Sequence, residues 1–155
     1  MKHRTMILLL AACLLLAGCG QNAPAAPKPC EEVAAGLAEK LPSFEELTPQ
    51  DRAEIVAYLG VDDDDLAESA LWMDASAATT EMIAVLTAKD EAALANLRDA
   101  IGWFMEDMIE TYRDYAPDEV PKLESAVLDA HGRQLVLIVS KDADAAKAAL
   151  DEAWK

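Results

Sequence analysis

The chain has 155 residues, of which 29 are Asp or Glu and 13 are Lys or Arg, so its formal net charge at pH 7 is −16. Such an excess of acid excludes nucleic-acid binding through phosphates, which requires clusters of Lys and Arg. The same charge opposes contact with anionic lipid head groups and leaves cationic partners and divalent ions as alternatives.

The N-terminus has the layout of a secretory signal peptide. A cationic start at residues 2–4 precedes an apolar run over residues 6–16, which is too short to span a bilayer. The run closes on Leu16-Ala17-Gly18-Cys19, which resembles a bacterial lipobox, where the cysteine is diacylated and the peptide before it is removed. We therefore expect cleavage after residue 18 and a diacylglyceryl group on Cys19. The alternative is an ordinary signal peptide cut near Ala17, with Cys19 left as a free thiol.

Lipidation at Cys19 predicts a protein anchored to the cell membrane and facing outside the cytoplasm, because two acyl chains hold a protein stably where one does not. Residues 19–29 form a tether rich in Pro and Ala, which we expect to be extended and to hold the domain off the membrane. Loss of Lys2 and Arg4 with the signal changes the formal charge from −16 to −18. Residues 30–155 have the length of one domain.

Cys30 is the one cysteine that remains once Cys13 has left with the signal and Cys19 is lipidated. No disulfide can then form within the mature chain. A lone thiol in an export compartment can pair with another molecule or react. We favour the simpler interpretation, in which Cys30 is a small apolar residue that opens the first helix.

The first half of the domain is predicted to contain two helices followed by two strands. Apolar residues at four-residue spacing predict a helix over 31–41. Thr48-Pro49-Gln50-Asp51 predicts the start of a second helix, with Thr48 as its cap and Gly60 as its end. Residues 62–66 are expected to form a turn or a single helical turn. The β-branched and apolar segments 69–77 and 80–88 predict an antiparallel strand pair.

The second half repeats the strand pair and adds longer helices. Residues 90–115 carry an apolar stripe and form the longest predicted helix, with a bend or break expected at Gly102. Strands over 125–130 and 134–141 are joined by a hairpin at 131–133, and a helix over 142–154 ends the chain. The order β-β-α-β-β-α predicts a two-layer α+β fold, an antiparallel four-stranded sheet with the helices, including the short N-terminal ones, packed on it.

Short segments spread over residues 30–155 carry a family resemblance: Tyr58-Leu59-Gly60-Val61-Asp62, Asp65-Leu66-Ala67-Glu68, residues 80–85 with 88–90, Tyr115-Ala116-Pro117, and Gly132 followed by 135–140. In these the chain resembles an uncharacterised family of short lipoproteins from Gram-positive anaerobes, catalogued as a domain of unknown function. Arg133, Gln134 and Leu135 depart from the family pattern, in which an aromatic residue precedes the valine run. The resemblance implies a surface-anchored domain in the cell envelope and brings no substrate or catalytic residue.

The candidate metal ligands are four consecutive acids, Asp62, Asp63, Asp64 and Asp65. Calcium prefers such oxygen ligands, of which it takes about six to eight. The run lacks the alternating acids and the internal glycine of an EF-hand loop. The competing interpretation is a solvated turn whose acids cap the helix that follows. We expect neither a bound metal nor any other cofactor.

Catalytic candidates are few. His131 is the one histidine left after the signal, and its place beside Gly132 predicts an exposed turn residue rather than a catalytic base. Zinc binding by paired histidines or cysteines is excluded by their number. Glu106, Asp107 and Glu110 lie near the polar face of the long helix, where solvation explains them better than acid–base chemistry does.

The candidate ligand-binding residues are Trp72 and Met73. The three tryptophans, Trp72, Trp103 and Trp154, fall in predicted strands or helices, so core packing is the expected role of each. Trp72 and Met73 are flanked by small residues and would line an apolar groove if their strand were at the edge of the sheet.

The sequence favours a non-catalytic binding or adaptor module at the cell envelope, with an envelope protein or a small ligand as its partner. The reasons are the anchor, the tether, the single small domain and the lack of a nucleophile–base pair. One alternative is a carboxylate-based hydrolase acting on cell-envelope polymers, which would need a concave pocket with two carboxylates of divergent pKa. Another is a divalent-cation-binding module built on residues 62–65.

Overall fold

One antiparallel sheet of five strands, in the order β1-β2-β3-β5-β4, forms the middle of the molecule. The computed structural model describes residues 26–41, 44, 46–74, 76 and 78–155. The strands are β1 (Thr48–Pro49), β2 (Leu66–Met73), β3 (Met82–Ala88), β4 (Val127–His131) and β5 (Gln134–Val139). The helices are α1 (Cys30–Lys40), α2 (Arg52–Leu59), α3 (Glu91–Tyr115), α4 (Val120–Glu124) and α5 (Ala143–Ala153), with 3-10 turns at Asp63–Asp65 and Pro117–Glu119.

The two central strands, β3 and β5, are buried along their whole length. In β3 successive side chains point to opposite faces of the sheet. Met82, Ala84 and Leu86 pack with α2, α3 and α4, whereas Ile83 and Val85 pack with α1 and α5. Burial on both sides explains why these strands are continuous apolar runs in the sequence. The sheet is therefore the middle one of three layers.

The predicted two-layer, four-stranded arrangement is wrong in two respects. Helices cover both faces of the sheet, because α1 and α5 lie on one side and α2, α3 and α4 on the other. The fifth strand is β1, where Thr48 and Pro49 pair with Met73 and Trp72. Proline is tolerated at the sheet edge, where its missing N–H removes no ladder bond. The α+β class and the antiparallel pairing are confirmed.

The second helix begins later than predicted, because Asp51 rather than Thr48 is its cap. The Asp51 carboxylate accepts a hydrogen bond from the Glu54 N–H, and the Glu54 carboxylate accepts one from the Asp51 N–H, which completes a capping box. Gly60 ends the helix with a φ of 65°, as predicted. A Thr-Pro pair fits both a helix start and an edge strand, so the sequence alone did not separate them.

The other elements keep the predicted order with shifted ends. β2 spans Leu66–Met73 rather than 69–77, and β4 begins at Val127 rather than at 125. α3 continues through Gly102 without a break. A two-residue turn joins β4 to β5, and Gly132 takes the left-handed conformation that such a turn requires, with a φ of 55°. The short α4, which follows the 3-10 turn at Pro117–Glu119, was not predicted.

The predicted signal peptide and Cys19 lie outside the described residues. The chain is non-helical over residues 26–29 and joins the domain at Lys28. Lys28 Nζ donates to the Ala153 carbonyl at 2.5 Å, and the Lys28 carbonyl accepts from Gln134 Nε2 at 2.8 Å. The incoming chain is thus fixed between the end of α5 and the start of β5.

No helix in the described part of the chain is both long enough and apolar enough to cross a membrane.

The incoming chain and the start of α3 share one end of the molecule, which we call the tether pole. β3 leads at Ala88 into α3, and the Arg133 guanidinium in the β4–β5 turn donates to the carbonyls of Ala88 and Lys89. α3 has 25 residues. At 1.5 Å per residue it extends about 37 Å from this end. Tyr115 therefore lies at the opposite end, the distal pole.

Truncation of a side chain in the doubly covered centre should be costly. Ile83 is fully buried between the sheet and the α1–α5 layer. Ile83→Ala is expected to lower the free energy of unfolding by about 2–5 kcal/mol, because it removes buried methylenes and leaves a cavity. Urea unfolding measures the loss. Leu128→Ala, at a side chain 39% exposed in β4, should cost less than about 1 kcal/mol. Equal losses would contradict the layer assignment.

Candidate docking surface

The apolar stripe of α3 is longer than the core against which it packs. The first half of the helix contributes four buried residues, Ala93, Leu94, Leu97 and Ile101. Beyond Ile101 the apolar side chains are only partly buried: Phe104, Met105, Met108, Ile109 and Tyr112. Four-residue spacing keeps Phe104, Met108 and Tyr112 in one line on the helix. α3 therefore presents apolar side chains near the distal pole that no described element fully covers.

Aromatic contacts join this stripe to α2. Tyr58 of α2 packs against Phe104 with ring centroids 5.3 Å apart, and Tyr112 meets Tyr115 edge-on at 6.0 Å. Both spacings are typical of favourable aromatic pairs. Tyr58 is 37% exposed and Tyr115 is 77% exposed. We call Tyr58, Phe104, Met108, Tyr112 and Tyr115 the aromatic surface.

Two tyrosines of this surface, Tyr58 and Tyr112, have a raised pKa. Burial raises the pKa of Tyr58 to about 12, with a smaller contribution from Tyr112. Partial burial also raises the pKa of Tyr112, and Glu119, Tyr115 and Asp74 raise it further. At Tyr58 and Tyr112 the surface therefore offers ring faces and neutral hydroxyl groups rather than phenolate charges.

A shallow cavity of about 380 Å³ opens beside Tyr58. Its lining comes from α2, from the residue after β1 and from β2: Gln50, Glu54, Ala57, Tyr58, Leu71 and Met73. Because Tyr58 also packs against Phe104, the cavity and the aromatic surface are continuous. Together they form a concave apolar region bounded by α2, β2 and α3.

Carboxylates border this region. Glu54 lines the cavity, and Asp74 and Glu119 raise the pKa of Tyr112. We call these three residues the acidic rim. Residues 103–115 of α3 add four acids and one base to the outer side of the helix: Glu106, Asp107, Glu110, Asp114 and Arg113. Ring faces with a negative border favour a cationic partner, because both attract positive charge.

A hydrogen-bond cluster fixes Glu119 of the acidic rim. Glu119 Oε2 accepts from the Thr80 N–H at 2.8 Å and from the Thr79 and Thr80 hydroxyls, and it lies 2.7 Å from Lys122 Nζ. Partial burial disfavours the charge, but the hydrogen bonds from Lys122 and Thr80 outweigh it and hold the pKa of Glu119 below its ordinary value. The cluster ties the β2–β3 connection to the 3-10 turn after α3.

Trp72 and Met73 lie on opposite faces of the sheet, as consecutive strand residues do. Trp72 packs on the α1–α5 side, and its Nε1 donates to Glu31 at 3.1 Å. Met73 packs on the α2–α3 side and lines the cavity. The two residues therefore cannot line one groove, and β1 pairs with the strand at both positions. A ligand-binding role for either residue stays a prediction, and Met73 is the one that the candidate region includes.

The four consecutive acids make separate contacts instead of converging. Asp62 caps the 3-10 turn through the Asp64 N–H, Asp63 pairs with Arg52 at 2.6 Å, Asp64 lies 3.8 Å from Lys89, and Asp65 accepts from Asn96 at 3.3 Å. Within the described ranges, no three His, Cys, Asp or Glu side chains are grouped so that they could hold a metal ion. Metal binding at residues 62–65 stays a prediction.

Cys30 and His131 both lie outside the candidate region. Cys30 opens α1 as predicted, and its buried thiol lies 3.2 Å from Thr87 Oγ1. Burial raises the pKa of this thiol to about 11, so it is protonated and shielded at neutral pH. His131 ends β4, is exposed as predicted, and packs against Trp154 with ring centroids 5.6 Å apart.

The spacing of apolar residues along α3 predicts that Phe104, Met108 and Tyr112 are buried. Only a comparison of the lengths of α3 and β3 shows that this end of the helix has no strand to pack against. α3 has 25 residues and β3 has seven. These lengths correspond to about 37 Å and about 23 Å, so the helix must extend past the sheet. Trp103 is also expected in the core but is 71% exposed. It follows Ile101 by two positions, which places it on the other side of the helix.

These features define a three-layer α+β domain that carries a concave, apolar, acid-bordered surface at one end. The chain belongs to the family described as a domain of unknown function, DUF4358, whose sequence profile matches residues 42–140. That range contains all five strands, α2, α3, α4 and the aromatic surface. Comparisons with curated proteins and with solved structures found no match.

Replacement of Glu119 should destabilise the protein in a pH-dependent way. Glu119→Gln is expected to cost about 1–3 kcal/mol of unfolding free energy at pH 7, because it removes a charged acceptor and leaves Lys122 without its partner. Since folding lowers the pKa of Glu119, its contribution is present above the ordinary value of 4.5 and is lost as the pH falls through the folded pKa. Urea unfolding at pH 7 and pH 3 measures both effects.

The matched control is Glu124→Gln. Glu124 is exposed and lies 3.9 Å from Arg113. Its loss should change stability by less than about 0.5 kcal/mol at either pH. A Glu119→Gln deficit that is equally large at pH 3 would contradict the ionised cluster.

Proposed function

We propose that this protein is a lipid-anchored, extracytoplasmic binding module of the cell envelope that acts without catalysis. Its aromatic surface docks a protein segment whose apolar side chains are flanked by Lys or Arg. The observation that carries the proposal is the aromatic surface itself, which joins partly exposed rings, a cavity and an acidic rim at one pole.

The position of this surface suits a tethered binding module. The chain enters at Lys28 on the tether pole, and α3 carries the rings of Phe104, Tyr112 and Tyr115 about 20–36 Å away from that end. An anchor at Cys19 would therefore hold the tether pole near the bilayer and leave the distal pole facing outward. A partner could reach the rings without displacing the domain from the membrane.

The chemistry of the surface favours a cationic protein segment. Apolar rings supply buried area and cation–π contacts, and Tyr and Trp are frequent at the centres of protein interfaces. The acidic rim attracts Lys and Arg and repels an anionic lipid surface. A bilayer is therefore a poorer occupant than a basic, apolar polypeptide.

The anchoring part of the proposal rests on residues 1–19. The cationic start, the short apolar run and Leu16-Ala17-Gly18-Cys19 together fit a lipoprotein signal, and the segments that resemble a Gram-positive lipoprotein family agree with it. A net charge near −18 after cleavage gives the domain no electrostatic attraction to anionic lipid as a whole. The diacylglyceryl group would supply the attachment that this charge does not.

A synthetic peptide of alternating Lys and Leu tests the docking surface directly. Tyr112→Ala and Tyr115→Ala should each weaken its binding about tenfold, because each removes a ring from the apolar contact. Fluorescence polarisation of the labelled peptide against the full-length protein in neutral detergent measures the dissociation constant. Raising the salt from 0.1 to 0.5 M should weaken binding as well, since the acidic rim contributes charge.

Trp103→Ala is the matched control, because Trp103 is an exposed aromatic residue of the same helix outside the aromatic surface. It should leave the dissociation constant unchanged. A Glu-Leu peptide of the same length should not bind. Equal effects of Trp103→Ala and Tyr112→Ala would reject this surface. Anchoring is tested separately by the mass of the N-terminal peptide from membranes, where Cys19→Ala should lack the acyl chains.

A further inference from the structure

A second cavity, of about 370 Å³, lies at the tether pole, where the structure first describes the chain. We call it the tether-pole pocket. Its lining comes from the incoming chain, the first residue of α3, the β4–β5 turn and the residues after α5: Ala26, Pro27, Lys28, Glu91, His131, Gly132, Arg133, Gln134, Trp154 and Lys155. The aromatic surface, at the distal pole, shares none of these residues.

The pocket is basic although the protein is strongly acidic. Lys28, Arg133 and Lys155 line it, against the single acid Glu91. Six other cations form the ion pairs of the described residues: Lys40, Arg52, Lys89, Arg113, Lys122 and Lys147. The three cations of the pocket take part in none of these pairs. No described ion pair therefore neutralises Lys28 or Arg133, while Lys155 interacts at longer range with Glu152, whose pKa it helps to lower.

Two backbone carbonyls hold the side chain of Arg133 at the pocket. Its Nη1 donates to the Ala88 carbonyl at 3.1 Å and also to the Lys89 carbonyl, which fixes the guanidinium against the end of β3. Only Nη1 makes these bonds, so the remaining N–H groups of the planar fork can bind a second acceptor. A guanidinium held in this way suits the paired oxygens of a phosphate, which it binds through two parallel hydrogen bonds.

The other side chains complete a site for a small anion. Lys28 is held by the Ala153 carbonyl and by Gln134, so its charge stays at the pocket wall. His131 and Trp154 pack ring against ring at 5.6 Å and form an aromatic wall. A phosphate group there would meet three cationic side chains, with Glu91 in the lining and Glu152 near Lys155 as the acids, which still leaves an excess of positive charge.

We propose that the tether-pole pocket binds a phosphate group, carried by an anionic lipid head group or by a free phosphate. The lipid source rests on the anchoring proposed above. Cys19 and Ala26 are seven residues apart, and seven extended residues span at most about 25 Å. The pocket would therefore remain within reach of the head groups. It would orient an acidic domain with this basic cavity toward the bilayer.

The test follows side-chain signals at the pocket by nuclear magnetic resonance. The full-length, lipidated protein is held in nonionic detergent micelles, and inorganic phosphate is added. The Arg133 Nε–H and Trp154 Nε1–H signals should shift and saturate. Arg133→Gln and Lys155→Gln should each weaken phosphate binding about tenfold, because each removes a charged donor. If Arg133→Gln does not fold, the exposed Lys155→Gln variant still tests the pocket.

Arg98→Gln is the matched control. Arg98 is exposed on α3, takes part in no described ion pair and does not line the pocket. It should leave phosphate binding unchanged. Absence of a saturable shift, or a shift that persists equally in both pocket variants, would overturn the proposal. Neither result depends on the aromatic surface, so this failure and a failure of the docking proposal remain distinguishable.

Two further additions identify the source of the phosphate. Phosphatidylglycerol in the micelles should shift the same signals and compete with inorganic phosphate, whereas oleate, an anion without phosphate, should not. An equal response to oleate would contradict recognition of phosphate. A response to inorganic phosphate alone would support the pocket and reject the lipid head group as its ligand.

Discussion

The packing of β3 and β5 on both of their faces is the constraint on which the rest of the structure depends. Neither strand has a side chain that can face water, so helices must cover the sheet on each side. α1 and α5 cover one face and bring the incoming chain to the end of α5. α3 covers the other face and, because it is longer than the strands, carries its apolar stripe past them.

Periodicity and caps were enough to predict most helices and strands but not how many layers they form. The alternation of Met82, Ile83 and Ala84 marks a strand with two apolar faces, yet it does not say which helix takes which face. Nor does it reveal β1, whose Thr-Pro pair also fits a helix start. The aromatic surface was missed because an exposed stripe and a buried one have the same spacing. The sequence predicted Met73 as a strand residue near a groove. It did not indicate Tyr58, because only the structure shows that Tyr58 packs against Phe104.

The distribution of charge matches the two ends of the fold. Asp74 and Glu119 border the rings at the distal pole, while Lys28, Arg133 and Lys155 line the cavity at the tether pole. Glu119 accepts a hydrogen bond from the backbone just before β3, and Arg133 donates one to the backbone at the end of β3. Each charged region is therefore held in place by the sheet. The net charge of the chain does not reveal that acids lie at one pole and cations at the other. This distribution follows from the order of the strands and helices. The basic pocket and the acid-bordered rings then lie toward opposite ends of α3.

The orientation of the domain on a membrane is the central claim, and energy transfer measures it directly. The lipidated protein is placed in bilayers containing an acceptor lipid and labelled through His131→Cys or through Tyr115→Cys. The buried Cys30 thiol, with its pKa of about 11, does not compete for the label. We expect strong transfer from position 131, which lies at the tether pole. We expect weak transfer from position 115, which lies at the end of α3, about 37 Å from the start of that helix. Stronger transfer from position 115 would place the aromatic surface at the membrane, and equal transfer would mean that neither pole faces it. Either result would contradict the proposed orientation.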